Sequence, residues 1–156
     1  MNLTKKDLSL LRELQKDSTQ SLKKLSRKLN MAITTIYDRK KKLEKEGVIK
    51  KYKAVIDPEK VNKPIVAFIF LRVRYDVENK MSVSLKEIAK QLTLIPGVME
   101  VHIITGQWDL LIKIRGKDIK EIGNILTDYI VKIKGISRSL TMTAWVTAKD
   151  SSDICL

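Results

Sequence analysis

Ser21–Tyr52, SLKKLSRKLNMAITTIYDRKKKLEKEGVIKKY, carries two helical periodicities separated by a tight turn. Leu22, Leu25 and Leu29 fall on one stripe, and Ile33, Ile36 and Leu43 on a second, with Asn30-Met31 between them. Two short helices joined this way are the arrangement that places a helix in the major groove of DNA. A further helix is predicted ahead of them. Thr4 with Asp7 three residues on forms a variant capping box, Leu3 is placed to staple Leu8, and Leu8, Leu11 and Leu14 give a core-facing stripe. Behind them, Gly47 suits a left-handed helix end, and Val48–Ile56 (VIKKYKAVI) alternates well enough to predict a strand or wing.

At 100° per residue, Ile33, Ile36 and Leu43 share one side of the second helix, and Thr34, Thr35, Asp38, Lys41, Lys42 and Lys45 gather on the other. Hydroxyls and ammonium groups on an outward face can read base edges or hold phosphates. Tyr37 and Arg39 flank that face, Ser21 opens the preceding helix, and Lys50 and Lys51 lie on the expected wing. This set is the candidate contact surface for double-stranded DNA, with Thr34, Thr35 and Asp38 reading and the lysines gripping. A lysine-rich helix face also fits a merely solvated surface, and periodicity alone leaves that alternative open.

Charge distribution favours the nucleic-acid alternative. The chain has 156 residues and a net charge of +13; residues 1–60 hold 17 Lys/Arg against 8 Asp/Glu, and residues 61–156 hold 14 against 10. Most of the excess therefore sits on the helix-turn-helix third, which suits a phosphate footprint better than a uniformly basic surface. The apolar runs are short for a bilayer and no signal peptide opens the sequence, so a cytoplasmic location and no membrane partner are expected. His102 and Cys155 are the only histidine and cysteine. Such a set offers no Cys/His metal cluster within one chain, and no Gly-rich phosphate loop is present; neither metal, cofactor nor catalysis is expected. His102 reads as a strand-face residue.

The remainder of the chain repeats a strand and helix unit. Ile65–Tyr75 is an apolar, β-branched run; Leu85, Ile88, Ala89 and Leu92 mark a helix with Ser84 as N-cap; Val98–Thr105 returns as a strand. Gly106-Gln107-Trp108-Asp109 turns into Leu110–Arg115, Asp118 with Glu121 caps a second helix ending at Gly135, and Ile136–Val146 alternates as a last strand. This order is the split βαβ, or ferredoxin-like, plan, with two helices on one face of the sheet. The other face, largely apolar, predicts pairing with a second copy about a two-fold axis. The overall expectation is an α+β chain: a winged helix-turn-helix at 1–52, a linker at 53–64, a ferredoxin-like βαββαβ domain for effector binding and oligomerisation at 65–150, and a tail at 151–156.

Several short matches then occur in order. Leu11–Ser18 (LRELQKDS), the set Ile36, Arg39, Leu43, Glu44 and Gly47-Val48-Ile49, and Ile56-Asp57-Pro58-Glu59 are followed by Pro96-Gly97-Val98, Thr105–Asp109, and Gly135-Ile136 with Ser139 and Thr141. Over nearly its whole length the chain resembles the Lrp/AsnC, or feast/famine, transcription regulators. The resemblance implies sequence-specific DNA binding, control of genes often linked to amino-acid metabolism, and dimers that commonly assemble into octamers. It also implies an effector, usually an amino acid, held between regulatory domains of neighbouring dimers. By position it carries effector roles to Gly106 and Asp109 of a G-x-x-D turn, to Ile119, and to Met142, Thr143 and Ala144. Such a turn suits a zwitterion, with a carboxylate for its ammonium group and backbone amides for its carboxylate. It equally suits a plain hairpin in which Asp109 bonds local backbone.

Four positions depart from the pattern. Ala32 stands where a serine usually caps the recognition helix, Asn30 replaces a frequent glycine, Lys40 occupies a usually apolar site and must snorkel, and Gln107 replaces a common acidic residue of the effector turn. The alternative function is an architectural, largely non-specific DNA-coating protein. A metabolic enzyme or carrier is a third possibility, for which no acid/base pair or metal set emerges.

Overall fold

The computed structural model describes residues 2–74 and 84–156, so Tyr75, the end of the first expected strand, lies outside the described residues. The chain forms two compact units, Met1–Val55 together with Lys149–Leu156, and Ile56–Ala148.

The first unit packs α1 (Lys5–Lys16), α2 (Leu22–Leu29) and α3 (Ile33–Lys45) around Leu10, Leu11, Leu14, Leu25, Met31, Ile36 and Leu43. The capping box forms as the sequence predicts: Thr4 Oγ1 accepts from Asp7 N, and Asp7 Oδ2 accepts from Thr4 N at 2.8 Å. The buried stripe of α1 is Asp7, Leu10, Leu11 and Leu14, so Leu10 rather than Leu8 faces the core. A carboxylate on the core register hid that stripe, because an apolar-only count skips position 7. Asn30 ends α2 in the left-handed region at φ 49°, and Gly47, at φ 69°, follows the end of α3, where a side chain would be strained. Ile33 is not buried as predicted: it opens α3 and is 46% exposed, while Met31 fills the core beside it.

Ala32 caps α3 without any side-chain hydrogen bond. Ala32→Ser is therefore expected to stabilise the unit by about 1 kcal/mol, read as a higher midpoint in urea at unchanged slope.

The strand expected at Val48–Ile56 does not form. Residues 50–57 have no regular structure, and Val55 is 90% exposed. An isolated extended segment has no ladder partner for its N–H and C=O groups, so alternation alone cannot make it a strand. The tail, separated from both domains on sequence, instead folds with the first unit.

The second unit has the predicted order: β1 (Ile65–Val73), α4 (Leu85–Leu92), β2 (Val98–Ile103), β3 (Leu110–Gly116), α5 (Ile119–Ile125) and β4 (Ile136–Thr143). Its strands lie in the order β2-β3-β1-β4, and β1 pairs antiparallel with both β3 and β4. Ala67, Ile69, Leu71, Leu110, Ile112 and Ile114 face the helices and pack on Ile88, Leu92, Ile122, Ile125 and Ile130. Helix α5 continues into a π-helical turn, Leu126–Ile130, closed by Val131 N donating to Leu126 O at 3.0 Å. Strand β4 stops at Thr143 rather than Val146, and Trp145 is 98% exposed. Of the two predicted caps, Asp118 accepts from Glu121 N at 2.7 Å, whereas Ser84 makes no side-chain capping bond.

The register places Phe68 opposite both Met142 and Lys113, and Phe70 opposite both Leu140 and Leu111. These residues share the face that the helices leave uncovered; its centre is apolar, with Leu140 39% and Met142 48% exposed. Its rim is charged. His102 Nε2 lies 3.1 Å from Glu100 Oε2, and Lys113 Nζ is 3.5 Å from Glu100 Oε1, so His102 is a strand-face residue paired with a carboxylate.

Candidate nucleic-acid interface

Ile36 and Leu43 are fully buried and seat α3 in the first unit, which fixes what its opposite face presents. Thr34, Tyr37, Asp38, Lys41, Lys42 and Lys45 are exposed, and Thr35 is half-buried. The Lys41 ammonium sits 4.8 Å from the centre of the Tyr37 ring, one turn away, and a hydrogen bond to Tyr37 holds its pKa above the ordinary lysine value. Ser21 is the N-cap of α2, its Oγ accepting from Lys24 N at 3.2 Å; Lys50 and Lys51 are exposed in the irregular segment.

Arg39 is oriented differently from the flanking DNA contact expected of it. Its Nη1 points inward, donating to Asp7 Oδ1 at 2.7 Å and to Thr4 Oγ1 at 3.1 Å. Burial acts to raise the Asp7 pKa, but hydrogen bonds from Thr4 and Arg39 outweigh it and leave the carboxyl below its ordinary value. The geometry makes Arg39 the residue that locks α3 onto the N-terminus of α1. A helical repeat of 100° per residue puts position 39 on the flank, where a long side chain can swing either way; only the buried Asp7 decides the direction.

Two further groups escaped the sequence reading. Tyr52 folds back on α3, its hydroxyl donating to Glu44 Oε1 at 2.8 Å while the Lys40 ammonium lies 4.8 Å from the ring centre. Burial and the Glu44 carboxylate raise the Tyr52 pKa, and Lys40 snorkels onto an aromatic ring. On α2, Lys23, Lys24, Arg27 and Lys28 line a shallow basic hollow with Ser21. Their shared face is legible in the spacing of positions 23, 24, 27 and 28. Lys28 also pairs with Glu13 of α1 at 2.7 Å; with Lys16 it draws the Glu13 pKa down to about 2.

The positions linked to effector response fall in two groups. Asp109 N donates to Leu71 O at 3.0 Å and Asp109 Oδ2 accepts from Val73 N at 2.8 Å, so Gly106, Gln107 and Asp109 lie beside the C-terminal end of β1. Gly106 has φ 115°, which a side chain rarely adopts. Met142 is opposite Phe68, Thr143 opposite Ala67, and Ala144 N donates to Val66 O at 2.9 Å, near the N-terminal end of β1. Ile119, 68% exposed, follows β3 at that same end, where Gly116 is opposite Ile65. The strand levels of Leu71 and Ala67 differ by about 13 Å at 3.3 Å per residue. One copy therefore does not gather both groups into a single site.

A basic recognition helix on a three-helix head with its own buried core, joined to a βαββαβ domain, defines a DNA-binding protein with a second domain of separate duty. Residues 3–50 match the winged helix-turn-helix DNA-binding family and residues 67–154 the Lrp/AsnC ligand binding domain. The chain belongs to the Lrp/AsnC family and is a DNA-binding transcriptional regulator, not an enzyme. It is 38% identical over 148 residues to an uncharacterised HTH-type transcriptional regulator of Pyrococcus horikoshii, covering 95% of this chain and 96% of the relative. An AsnC family transcriptional regulator from Agrobacterium tumefaciens matches with a TM-score of 0.88 and 27% identity, covering 98% of this chain and 97% of the other. A Neisseria meningitidis transcriptional regulator solved as a complex with L-Met shares the fold, with a TM-score of 0.89 and 23% identity over 99% of this chain and 97% of that one. None of these matches supports the DNA-coating alternative. Among the described residues no helix is long and apolar enough to cross a membrane.

Proposed function

We propose that this regulator reads a two-fold symmetric DNA site in the cytoplasm as a homodimer, with dimers assembling into octamers, and that an amino acid bound between copies sets its response. The observation that carries the DNA half is the exposed row Thr34, Asp38, Lys41, Lys42 and Lys45 on a helix fixed from behind by Ile36 and Leu43. Thr34, Thr35 and Asp38 read base edges. Ser21, Lys41, Lys42, Lys45, Lys50 and Lys51 hold phosphates, joined by Lys23, Lys24 and Arg27 on α2.

Binding to matched and scrambled duplexes across a salt series tests this division. Thr34→Ala and Thr35→Ala narrow the preference for the matched site, each by about 1 kcal/mol or more. Lys41→Ala and Lys50→Ala weaken both duplexes alike and lower the salt slope by about 1 each. Equal losses on both duplexes for all four variants would remove the assignment of base readers.

For the effector, separation of Gly106–Asp109 from Ile119 and Met142–Ala144 supports a site that two copies complete together. Val73 N fixes one carboxylate oxygen of Asp109, presetting the group, and a carboxylate has further acceptor capacity for an ammonium group. Backbone amides at Gly106 and Gln107 meet the ligand's carboxylate. L-methionine is the first amino acid to try, because the Neisseria relative was solved with it. Thermal shift on a panel of amino acids compares the native protein with Asp109→Asn, which keeps an acceptor for Val73 N and loses the charge. The native protein is expected to shift upward with at least one amino acid and the variant not to; equal shifts in both would exclude Asp109 from the site.

A further inference from the structure

The chain leaves the first unit after Val55 and returns to it at Lys149. On its return it lays the main chain of residue 154 along α1. Gln15 Nε2 donates to Ile154 O at 3.0 Å, and Ile154 N donates to Gln15 Oε1 at 2.8 Å. A primary amide offers one donor and one acceptor side by side, so Gln15 pairs with this peptide as a neighbouring strand would. Arg12 Nε, one turn earlier on α1, donates to Leu156 O at 2.5 Å. The Leu156 side chain packs against the core of the three helices.

These contacts converge on the helix that positions the recognition helix. Arg12 and Gln15 face the tail, while Asp7 of the same helix holds Arg39 of α3. We propose that Lys149–Leu156 is a strap that completes the DNA-binding unit. It clamps α1, so that releasing it weakens DNA binding although none of its residues belongs to the DNA-facing set. The strap also gives the unit a second covalent link to the ferredoxin-like domain, through the four residues that separate Ala144 from Lys149. A change at the last strand can thus reach α1 without passing through the linker at 53–64.

The test compares the full chain with a truncation lacking 149–156 and with the double variant Gln15→Ala, Leu156→Ser. Amide exchange by residue and affinity for a random-sequence duplex at low salt are the two readouts. Exchange in α1 is expected to rise by about tenfold or more in both variants, with exchange in β1 and β3 unchanged. DNA affinity is expected to fall by about tenfold, the equivalent of one good interaction lost. Unchanged α1 exchange would overturn the proposal. Faster exchange with unchanged affinity would overturn it equally, leaving the tail a mere covering of α1. If the truncation fails to fold, Gln15→Glu decides: it removes the donor to Ile154 O and retains the acceptor, and should give a smaller loss in the same direction, whereas no change would contradict the clamp.

Discussion

Arg39→Ala is expected to lower the stability of the DNA-binding unit by about 3 kcal/mol, within the range found when one partner of a buried ion pair is removed. For a unit of about 60 residues that is a fall in Tm of about 12 °C or more. The Asp7 side chain is 6% exposed and that of Arg39 27%, so truncating the arginine strands a carboxylate in the interior, still accepting from Thr4. Asp7→Ala should cost a similar amount by stranding the guanidinium, and the double variant should cost much less than the two losses added. A plain DNA contact behaves otherwise: Arg39→Ala would then weaken binding and leave Tm alone, and Asp7→Ala would not resemble it. The pair also fixes a pH dependence. Because the folded-state pKa of Asp7 lies below its ordinary value of 3.8, its contribution is fully present above that value and is lost as pH falls through the lower, folded-state one. Acid unfolding of the native unit as pH falls below the ordinary Asp value of 3.8 should therefore be steeper than that of Asp7→Asn, followed by circular dichroism.

Leu140→Lys is the second change with a large expected effect. Leu140 sits on the uncovered sheet face opposite Phe70, and in the proposed two-fold dimer an ammonium there would be buried against apolar surface of the second copy. Sedimentation should show the proposed dimer for the native protein and monomer for the variant at micromolar concentration. Two linked heads gain avidity of about 10²–10⁴ over one, so affinity for a two-half-site duplex should drop by that order while affinity for a single half-site changes little. The ferredoxin-like domain itself should keep its Tm, because Leu140 belongs to none of its helix-facing core. A variant that remained dimeric would place the pairing surface elsewhere.

Legibility in the sequence followed locality. Helices α1, α2, α3, α4 and α5 and all four strands were readable because each carries its own period, and the G-x-x-D turn because glycine marks it. The strand at Val48–Ile56 was misread since alternation says nothing of a partner, and its ladder needs one. Arg39 was misread for a related reason: its role is set by Asp7, 32 residues away, and a helical wheel has no knowledge of what lies across the core. Leu10 was displaced by Leu8 because a paired carboxylate at position 7 broke the apolar count. The tail carried no periodicity at all; its docking rests on main-chain hydrogen bonds to Gln15, which any residue but proline at 154 could make, and on the single apolar side chain of Leu156. In the effector domain the single-chain register shows that the residues grouped by resemblance stand at opposite ends of the sheet.

Selection of bound sequences from a random duplex pool, run with the native protein in the presence and absence of L-methionine, tests the central claim most directly. A discrete, pseudo-palindromic motif should emerge, with half-sites about one helical turn apart or a multiple of it, and the enriched set or its affinity should change with the amino acid. Sequences recovered without any shared motif at physiological salt would contradict the account, for they would leave the exposed row on α3 as grip alone, with nothing read.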